Sequence, residues 1–386
     1  MPRVDRSSPA LVALTALLLY AAWVGWAHHI GHDWQDWATI GKRFVGASET
    51  SPEIVRDVPN ATSEFGYDGQ FFLYIARDPA GAVPYLDNAS YRYGRIVYPL
   101  AARGLALGRQ EAIPLALVVL NLLAVAVGTW AIAAWLRRER FPEWFALLYA
   151  AFPGVFFGVW RDLSEPLAYS LTAVALLAFD GDRSRRLALS ASLFAVAILT
   201  REGAAVFALV WAAALAVEGR RLRATLFAVG SILPYLAYRF VFLNVWLGNA
   251  GLPEKLQPTP VPFGGIGHYF PWGGVELQRV YAVLLPGTFC VALAVVALVR
   301  GARAPAVWAL LANALLFVVF LPAAAYEDYS SAGRISTSVF LAFLLSLPAL
   351  TRVFPTTTRA WMWVPTVAWF APWYVLLPLA LEADWG

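Results

Sequence analysis

Apolar stretches of membrane-spanning length, separated by short polar segments, recur along the whole chain. Five of these stretches contain 20 or more residues without Asp, Glu, Lys or Arg, and they lie at 10–30, 112–136, 280–299, 304–326 and 360–381. About 20 apolar residues are enough for an α-helix to cross the hydrocarbon of a bilayer. The pattern therefore predicts an integral membrane protein built from α-helices.

Six shorter apolar stretches lie between the long ones, at 144–160, 163–179, 187–200, 203–217, 224–238 and 335–351. Helices of this length can still cross a bilayer that is locally thinned, or with flanking side chains that reach the interface. Together the two sets predict an all-α polytopic fold with about 11 transmembrane helices. The stretch at 10–30 is not followed by a small-residue cleavage site, so we interpret it as a retained helix rather than a signal peptide.

The distribution of charge between these stretches predicts their orientation. When the amino terminus is placed in the cytoplasm, the cytoplasmic segments hold 15 Arg residues against six Asp and Glu residues. The remaining 14 cations and 19 acids fall on the other side. Because short cytoplasmic loops of membrane proteins carry an excess of Lys and Arg, we expect the amino terminus inside and the carboxyl terminus outside.

The largest polar segment, at 31–111, lies outside in this topology. Long loops without secondary structure are uncommon, so this loop is expected to fold on the membrane surface. Trp34, Trp37, Ile40 and Phe44 recur at helical spacing and predict an amphipathic interfacial helix. The apolar run around Tyr74 predicts another. A second outside segment at 248–279, rich in Pro, Gly and aromatic residues, is interpreted as a lid.

Composition excludes several classes of protein. Apolar residues make up 60% and charged residues 14% of the 386 residues, whereas soluble domains usually have about a quarter charged residues. The net charge of +4 is spread over the loops, so nucleic acid is not expected as a partner. The single cysteine, Cys290, lies inside an apolar stretch and excludes an intrachain disulfide. No internal repeat is found.

Candidate chemistry is concentrated in four charged clusters on the predicted outside. Taken alone, the Asp68-Gly69 pair of the first loop is a common turn dipeptide. The charged pairs at helix ends are also explained as ordinary interfacial ion pairs, which contribute little energy. The clusters are Tyr67-Asp68-Gly69-Gln70 with Arg92 and Arg95, Arg161-Asp162 with Glu165, Arg201-Glu202, and Glu327-Asp328 with Arg334.

All four clusters fall on one side under a topology derived from other residues, and that convergence favours a functional site. One acid among several arginines suits displacement of a phosphate from a sugar. Hydrolysis of a glycoside needs a second carboxyl group to protonate the leaving oxygen. A lipid phosphate is already a good leaving group, and a guanidinium binds phosphate while remaining charged. One carboxylate then suffices as the general base on an acceptor hydroxyl.

Several of these motifs resemble those of bacterial membrane proteins assigned to cell-surface glycopolymer formation. Those proteins are similar to the mannosyltransferases that add the second mannose of glycosylphosphatidylinositol anchors, within the GT-C superfamily of glycosyltransferases. The matching residues lie at 40–44, 66–72, 75–79, 91–100, Pro153, 164–167 and 199–203, with a weaker likeness around Arg334. The resemblance covers about half of the chain.

The resemblance implies a GT-C-like fold with interfacial helices in the first outside loop. It implies an inverting glycosyltransferase of the cytoplasmic membrane, whose site faces the periplasm or cell exterior and which uses a polyprenyl-phosphate monosaccharide as donor. Mannose is one candidate sugar, and the acceptor would be a glycan or glycolipid. Asp68 would be the catalytic base. Position suggests Arg92, Arg95, Arg161, Arg201 and Arg334 as phosphate-binding candidates, and Tyr67, Gln70 and Glu165 as residues that bind substrate or orient an arginine.

Residues 1–250 are expected to form the catalytic module, and 251–386 to add transmembrane helices without forming an independent domain. No cofactor or protein metal site is required, and assistance by a divalent cation stays open. The main alternative is a transporter or flippase of lipid-linked glycans. That class usually has internal repeats and ionisable residues near the bilayer midplane, whereas here only Arg239 lies well inside an apolar stretch. A glycan polymerase or ligase is a third option, disfavoured by the position of the large loop.

Overall fold

The computed structural model describes residues 8–44, 64–248, 257–268, 270, 283–326 and 333–371. Within these ranges the protein is helical, and the only β-type pairing is an isolated bridge between Ile40 and Gly66. The predicted all-α class is therefore confirmed for the described part of the chain. Glu327 and Asp328 of the fourth charged cluster, and much of the lid at 248–279, lie outside these ranges.

Sixteen α-helices are labelled here in chain order. They are α1 (Pro9–His29), α2 (Gly69–Arg77), α3 (Ala89–Tyr93), α4 (Val97–Leu105), α5 (Ile113–Arg138), α6 (Leu147–Ala150), α7 (Pro153–Trp160), α8 (Glu165–Ala178), α9 (Ser184–Thr200), α10 (Ala205–Val217), α11 (Arg221–Ala237), α12 (Asn244–Leu247), α13 (Gly264–Gly267), α14 (Leu285–Val299), α15 (Pro305–Ala314) and α16 (Thr337–Val353). Residues 364–371 are also helical. Short 3-10 helices lie at Asp36–Ala38, Lys42–Phe44, Val83–Tyr85, Gln110–Ala112, Glu143–Ala146, Glu202–Ala204, Ala323–Tyr326 and Thr356–Trp363, and π-helical turns at Tyr238–Leu243 and Leu315–Val319.

Among the described residues, four helical stretches are long and apolar enough to cross a membrane: Pro9–His29, Gln110–Arg138, Arg221–Leu247 and Gly333–Val353. A fifth candidate is the pair Glu143–Ala150 and Pro153–Trp160, which is bent by 49°. These helices are typical of a multi-pass membrane protein, as predicted. The count of 11 crossings is not confirmed, because other predicted segments form shorter apolar helices, namely Glu165–Ala178, Glu202–Val217, Leu285–Val299 and Pro305–Val319.

Prolines define several helix boundaries and one internal irregularity. Pro9, Pro153 and Pro305 each occupy the first turn of a helix, where the missing N–H would have no intrahelical partner anyway. Pro234 instead lies inside α11 and cannot donate to the preceding turn. A few residues later the helix widens into the π-helical turn Tyr238–Leu243, a feature that often occurs at functional sites.

The main hydrophobic core is formed between the long helices. Helix α5 packs against α1 and α8, α9 packs between α8 and α11, and α16 contacts α5, α8 and α15. Aromatic packing holds α16 in place, since the ring of Phe340 stacks on Phe152 with centroids 4.2 Å apart. Trp369 is fully buried against both rings. This core fixes the ends of α8 and α16, which contribute charged residues to the site described below.

The first loop folds, but not as an interfacial helix at its start. Instead of continuing as a helix through Ile40, the chain turns at Thr39, whose φ is +50°, and Ile40 pairs with Gly66. The predicted amphipathic helix over Trp34–Phe44 is therefore wrong, because this backbone pairing interrupts it. The helix predicted around Tyr74 does form, as α2. All its residues are buried, so it packs inside the protein rather than half-exposed at an interface.

Candidate active site

The backbone around Asp68 is shaped by two glycines of the Gly-Tyr-Asp-Gly motif. Gly66 has a φ of +64°, and the next amide, that of Tyr67, donates a hydrogen bond of 2.7 Å to the Thr39 carbonyl. A Cβ at Gly69 would collide with the carbonyl oxygen of Arg161. Gly66 therefore permits a left-handed turn, and Gly69 permits close contact between the start of α2 and the end of α7. Asp68 lies between these two constrained positions.

Both carboxylate oxygens of Asp68 contact guanidinium groups. Oδ1 lies 2.8 Å from Nη1 of Arg92, and Oδ2 lies 2.5 Å from Nη2 of Arg334. Arg92 belongs to α3 of the first loop, whereas Arg334 lies just before α16, 266 positions along the chain. Asp68 precedes α2 but does not cap it through its side chain, and in the described part of the chain its ion pairs are those with the two arginines.

Further acids join this contact into an extended network. Arg92 also donates to both carboxylate oxygens of Asp87, at 2.7 Å each. On the other side, Nε of Arg334 lies 3.6 Å from Oε1 of Glu165, and the same oxygen lies 3.0 Å from Nη1 of Arg201. The last two are charge contacts without hydrogen-bond geometry. Glu165 is fully buried at the start of α8, so the network reaches into the helical core.

Arg95 makes the second bidentate pair of the site. It donates to Glu202 through Nε at 3.2 Å and through Nη2 at 2.8 Å. Nη2 also donates to the hydroxyl of Tyr91 at 2.6 Å. Both Arg92 and Arg95 lie over the Tyr91 ring, with Cζ at 5.1 and 4.3 Å from its centroid, within cation–π range. We call these residues together the charged cluster: Asp68, Asp87, Arg92, Arg95, Glu165, Arg201, Glu202 and Arg334.

Tyr67 and Arg161 lie beside the charged cluster. The Tyr67 ring has Arg161 Cζ at 5.4 Å and Arg334 Cζ at 5.1 Å from its centroid. Arg161 also donates to the Thr39 hydroxyl at 2.8 Å. The predicted site residue Gln70 is used differently, because its Oε1 accepts from the Gly41 amide and its Nε2 donates to the Phe65 carbonyl. Gln70 therefore holds the loop together and has neither end directed to the charged cluster.

The electrostatics of Asp68 favour its ionised form. Burial alone would raise the pKa of this carboxyl, but the guanidinium charges of Arg334 and Arg92 outweigh burial and hold the pKa well below its usual range. Burial likewise opposes the charge on Arg92, and the carboxylates of Asp68 and Asp87 raise its pKa above the usual value. Asp68 and Arg92 are therefore both charged at neutral pH and form an ion pair in this structure.

Asp162 is a buried acid, whereas its sequence position was equally consistent with an exposed ion pair at the membrane interface. It is fully buried between α7 and α8, with a φ of +48°. Neither carboxylate oxygen has a hydrogen-bond partner among the described residues. Burial raises the pKa of Asp162 well above its ordinary value, which favours the protonated, neutral form. The only sequence signal was its position at a helix end.

The alternative explanation of the helix-end charges was an ion pair between adjacent residues, and the described residues do not show such pairs. The contacts of Arg161 and Asp162 described above do not include each other, and no salt bridge joins Arg201 to Glu202. Arg201 has an extended backbone, with φ −160° and ψ +125°, and extended neighbours point their side chains in opposite directions. The acids and cations of the helix ends therefore pair between elements, which is what assembles the site.

Most of the sequence-predicted residues do come together. Asp68, Arg92, Arg95, Arg201, Arg334 and Glu165 form the charged cluster, and Tyr67 and Arg161 lie beside it. Sequence reasoning missed Asp87, Tyr91 and the pairing role of Glu202. Arg334 comes from the part interpreted as C-terminal helices, so the site draws on both parts of the chain.

Within the described residues, no group of three His, Cys, Asp or Glu side chains is placed to hold a metal ion.

The chain was compared with protein-family models, curated proteins and solved structures, and none of them matches it. A helical fold alone does not specify an activity, so the chemistry of the charged cluster is the evidence that bears on function.

Proposed function

We propose that this protein is an inverting glycosyltransferase of the membrane. It would transfer one sugar, with mannose as a candidate, from a polyprenyl-phosphate donor to a glycan or glycolipid acceptor. The observation that carries the proposal is the environment of Asp68, a single carboxylate held by two buried guanidinium groups. A carboxylate base beside several buried guanidinium groups fits a reaction whose leaving group is a phosphate.

The proposed step is a single displacement at the anomeric carbon. The acceptor hydroxyl oxygen attacks this carbon from the face opposite the phosphate, and its proton passes to Asp68. The bond between the anomeric carbon and the phosphate oxygen breaks, and its electron pair leaves with the polyprenyl phosphate. The configuration at the anomeric carbon is inverted. Arginines stabilise the phosphate charge that develops, so that no second carboxylic acid is needed.

In its resting state Asp68 would be a poor base. A carboxylate contacted by two guanidinium groups keeps its charge and accepts a proton with difficulty, since its pKa is lowered. A base is more effective when its pKa lies closer to the working pH. We therefore propose that the donor phosphate draws Arg334 or Arg92 away from Asp68. Binding of the donor would then both neutralise the cation and activate the base.

The proposal includes the topology derived from the sequence, with 11 crossings, a cytoplasmic amino terminus and the charged cluster on the exterior side of the cytoplasmic membrane. A cysteine scan tests the sidedness directly. Ala80 is exposed beside α2, and the native Cys290 is buried and can be replaced by Ser. In intact cells, Ala80→Cys should react with a membrane-impermeant maleimide. Reaction only after the cells are permeabilised would place the loop inside and overturn the topology.

The activity is tested with purified protein and synthetic donors. Farnesyl-phosphate and decaprenyl-phosphate sugars should each yield a glycosylated acceptor and free polyprenyl phosphate, and nucleotide sugars should yield neither. Nuclear magnetic resonance of the product should show the opposite anomeric configuration from the donor. The flippase alternative gives a different result, because a flippase moves a fluorescent lipid-linked sugar across proteoliposomes without breaking the glycosyl bond. Transport without bond cleavage would reject the glycosyltransferase proposal.

A further inference from the structure

Arg239 is a buried cation within a candidate membrane-spanning helix. It lies in the π-helical turn Tyr238–Leu243, which belongs to the apolar stretch Arg221–Leu247. Only 4% of the residue is exposed. A charged side chain at such a position is destabilising unless it is paired, and a functional site is the default explanation.

The partners of Arg239 are neutral. Nη1 contacts the Ser90 carbonyl at 3.5 Å, which is the limit of a hydrogen bond, and the Tyr235 hydroxyl is its side-chain hydrogen-bond neighbour. Nη2 has no hydrogen-bond partner in the described part of the chain. No described carboxylate lies within 4 Å of the guanidinium. Arg239 thus differs from the four arginines of the charged cluster, each of which contacts at least one carboxylate.

The guanidinium of Arg239 nevertheless lies at the edge of the charged cluster. A Cβ at Gly94 would come within 2.6 Å of its Nη1, and Gly94 directly precedes Arg95. The Tyr235 hydroxyl interacts electrostatically with Glu202 and Arg95 as well as with Arg239. The α3 segment therefore presents Arg92 to Asp68 and the backbone of Ser90 and Gly94 to Arg239.

The residues that follow Arg239 face outward and are apolar. Phe240 and Val241 are 58% and 64% exposed, and both belong to the stretch that is long and apolar enough to span a membrane. A ligand that reaches Arg239 along this surface would meet apolar side chains outside and an unneutralised cation within. That arrangement fits an amphiphile with an anionic head group and a hydrocarbon chain, since a buried guanidinium binds phosphate bidentately.

We propose that Arg239 binds the phosphate of the lipid-linked donor, with the hydrocarbon chain lying along Phe240 and Val241. This inference rests on the proposed function and adds a residue that the charged cluster does not contain. The phosphate would supply the negative charge that Arg239 lacks. It would also lie beside the α3 segment, which carries Arg92, one of the two arginines that hold Asp68.

The test is equilibrium binding of radiolabelled farnesyl phosphate to purified protein in detergent. Wild type should bind farnesyl phosphate more tightly than farnesol or inorganic phosphate. Arg239→Gln should weaken the binding of farnesyl phosphate by about 10- to 100-fold, the equivalent of one charge-assisted hydrogen bond, and should leave farnesol binding unchanged. Arg239→Lys should bind farnesyl phosphate with an affinity between those of wild type and Arg239→Gln, because the ammonium group keeps the charge but cannot bind phosphate bidentately. Arg352→Gln, which removes an exposed arginine elsewhere, is the matched control.

A second variant guards against a folding defect. Gly94→Ala keeps every charge but places a methyl group against the end of the Arg239 side chain, which is flexible enough to move aside. The new methyl group also comes 3.2 Å from the Tyr91 carbonyl oxygen, so the melting temperature should fall slightly, while farnesyl phosphate binding should weaken by several-fold.

The outcomes separate this inference from the proposed function. If Arg239→Gln binds farnesyl phosphate as tightly as wild type does, the proposed role of Arg239 is wrong. Sugar transfer by wild type in that case would still support the glycosyltransferase proposal. Inorganic phosphate that competes as strongly as farnesyl phosphate would overturn the assignment to a lipid-borne ligand. If wild type transfers sugar but binds farnesyl phosphate no more tightly than farnesol, the proposed phosphate site is also overturned.

Discussion

The same helices carry charged residues at both ends, but those at one end are buried and those at the other end are exposed to solvent. At one end of α16, Arg334 is 8% exposed in its side chain and contacts Asp68 and Glu165. At the other end, Arg352 is 61% exposed and pairs with Glu139. Helices α8 and α9 repeat the contrast, because Glu165 and Arg201 are buried while the pair of Asp180 and Arg183 is at the surface.

This difference separates the charges that are candidates for function from those that need no functional explanation. Exposed ion pairs contribute little stability, and an excess of Arg in short loops is sufficiently explained by the insertion of the chain into the membrane. Burying four arginines and their acids is a net burden in comparison with an apolar core of the same volume. Buried charges that cost stability need another explanation, and contact with a substrate is the default one, so the buried end is the better candidate for the active site.

The largest effect is expected from removing a charge at the buried end. Glu165→Gln leaves Arg201 without its carboxylate contact and should lower the free energy of unfolding by about 3–5 kcal/mol. The same substitution at the exposed end, Glu139→Gln, should lower it by less than about 1 kcal/mol. Denaturant unfolding of both variants in the same detergent measures the difference. Equal losses would show that the two ends do not differ energetically.

The next effect concerns the pH dependence of stability at Asp68. The pKa of this group is lower in the folded protein than its ordinary value of 3.8, so its contribution is fully present above that value and is lost as the pH falls through the folded pKa. Asp68→Asn should therefore be less stable than wild type by about 3 kcal/mol at pH 7. The gap should narrow below about pH 4. A gap that widens as acid is added would contradict the ion pairs of Asp68.

A smaller effect is expected from filling the contact beneath α2. The methyl group of Gly69→Ala would overlap the Arg161 carbonyl, which belongs to the backbone and cannot move aside easily. The variant should lose about 2 kcal/mol of stability and most of its glycosyl transfer, because Asp68 is displaced. The control is Gly104→Ala in α4, where no atom lies within 4 Å of the new Cβ. If both variants behave alike, close packing at Gly69 does not position Asp68.

The smallest effect is expected at Asp162, only three positions before Glu165. Neither carboxylate oxygen of Asp162 has a hydrogen-bond partner among the described residues, and burial favours the neutral form of the group. An amide of the same shape should therefore replace it at little cost, and Asn also tolerates the positive φ. Asp162→Asn should change the free energy of unfolding by less than about 1 kcal/mol at pH 7. A loss as large as that of Glu165→Gln would show that Asp162 is ionised and paired.

Much of the fold was predictable because apolar periodicity and length report directly on helices. Helices α1 and α5 follow the predicted stretches closely. The start of the first loop was not predictable in this way, since Trp34 and Trp37 have helical spacing and only the pairing of Ile40 with Gly66 breaks the helix. A pairing between distant backbone segments leaves no periodic signal in the sequence.

Which residues form the site was more predictable than which acid pairs with which arginine. The Gly-Tyr-Asp-Gly motif indicated Asp68, and the arginines at helix ends indicated its surroundings. Neighbouring charges suggested local pairs such as Arg201 with Glu202, whereas in the structure Arg201 contacts Glu165 and Glu202 contacts Arg95. Which acid meets which arginine depends on how the helices pack, and that information is not local in the sequence.

The most direct test of the central claim compares two acids that bind the same arginine. Asp68 and Asp87 both contact Arg92, but only Asp68 is proposed to accept the proton of the acceptor. With a polyprenyl-phosphate sugar as donor, initial rates should fall by about 1,000-fold or more in Asp68→Asn and by less than about 10-fold in Asp87→Asn. Folded Asp68→Asn that transfers sugar at the wild-type rate, or equal losses in both variants, would contradict the role of Asp68 as base.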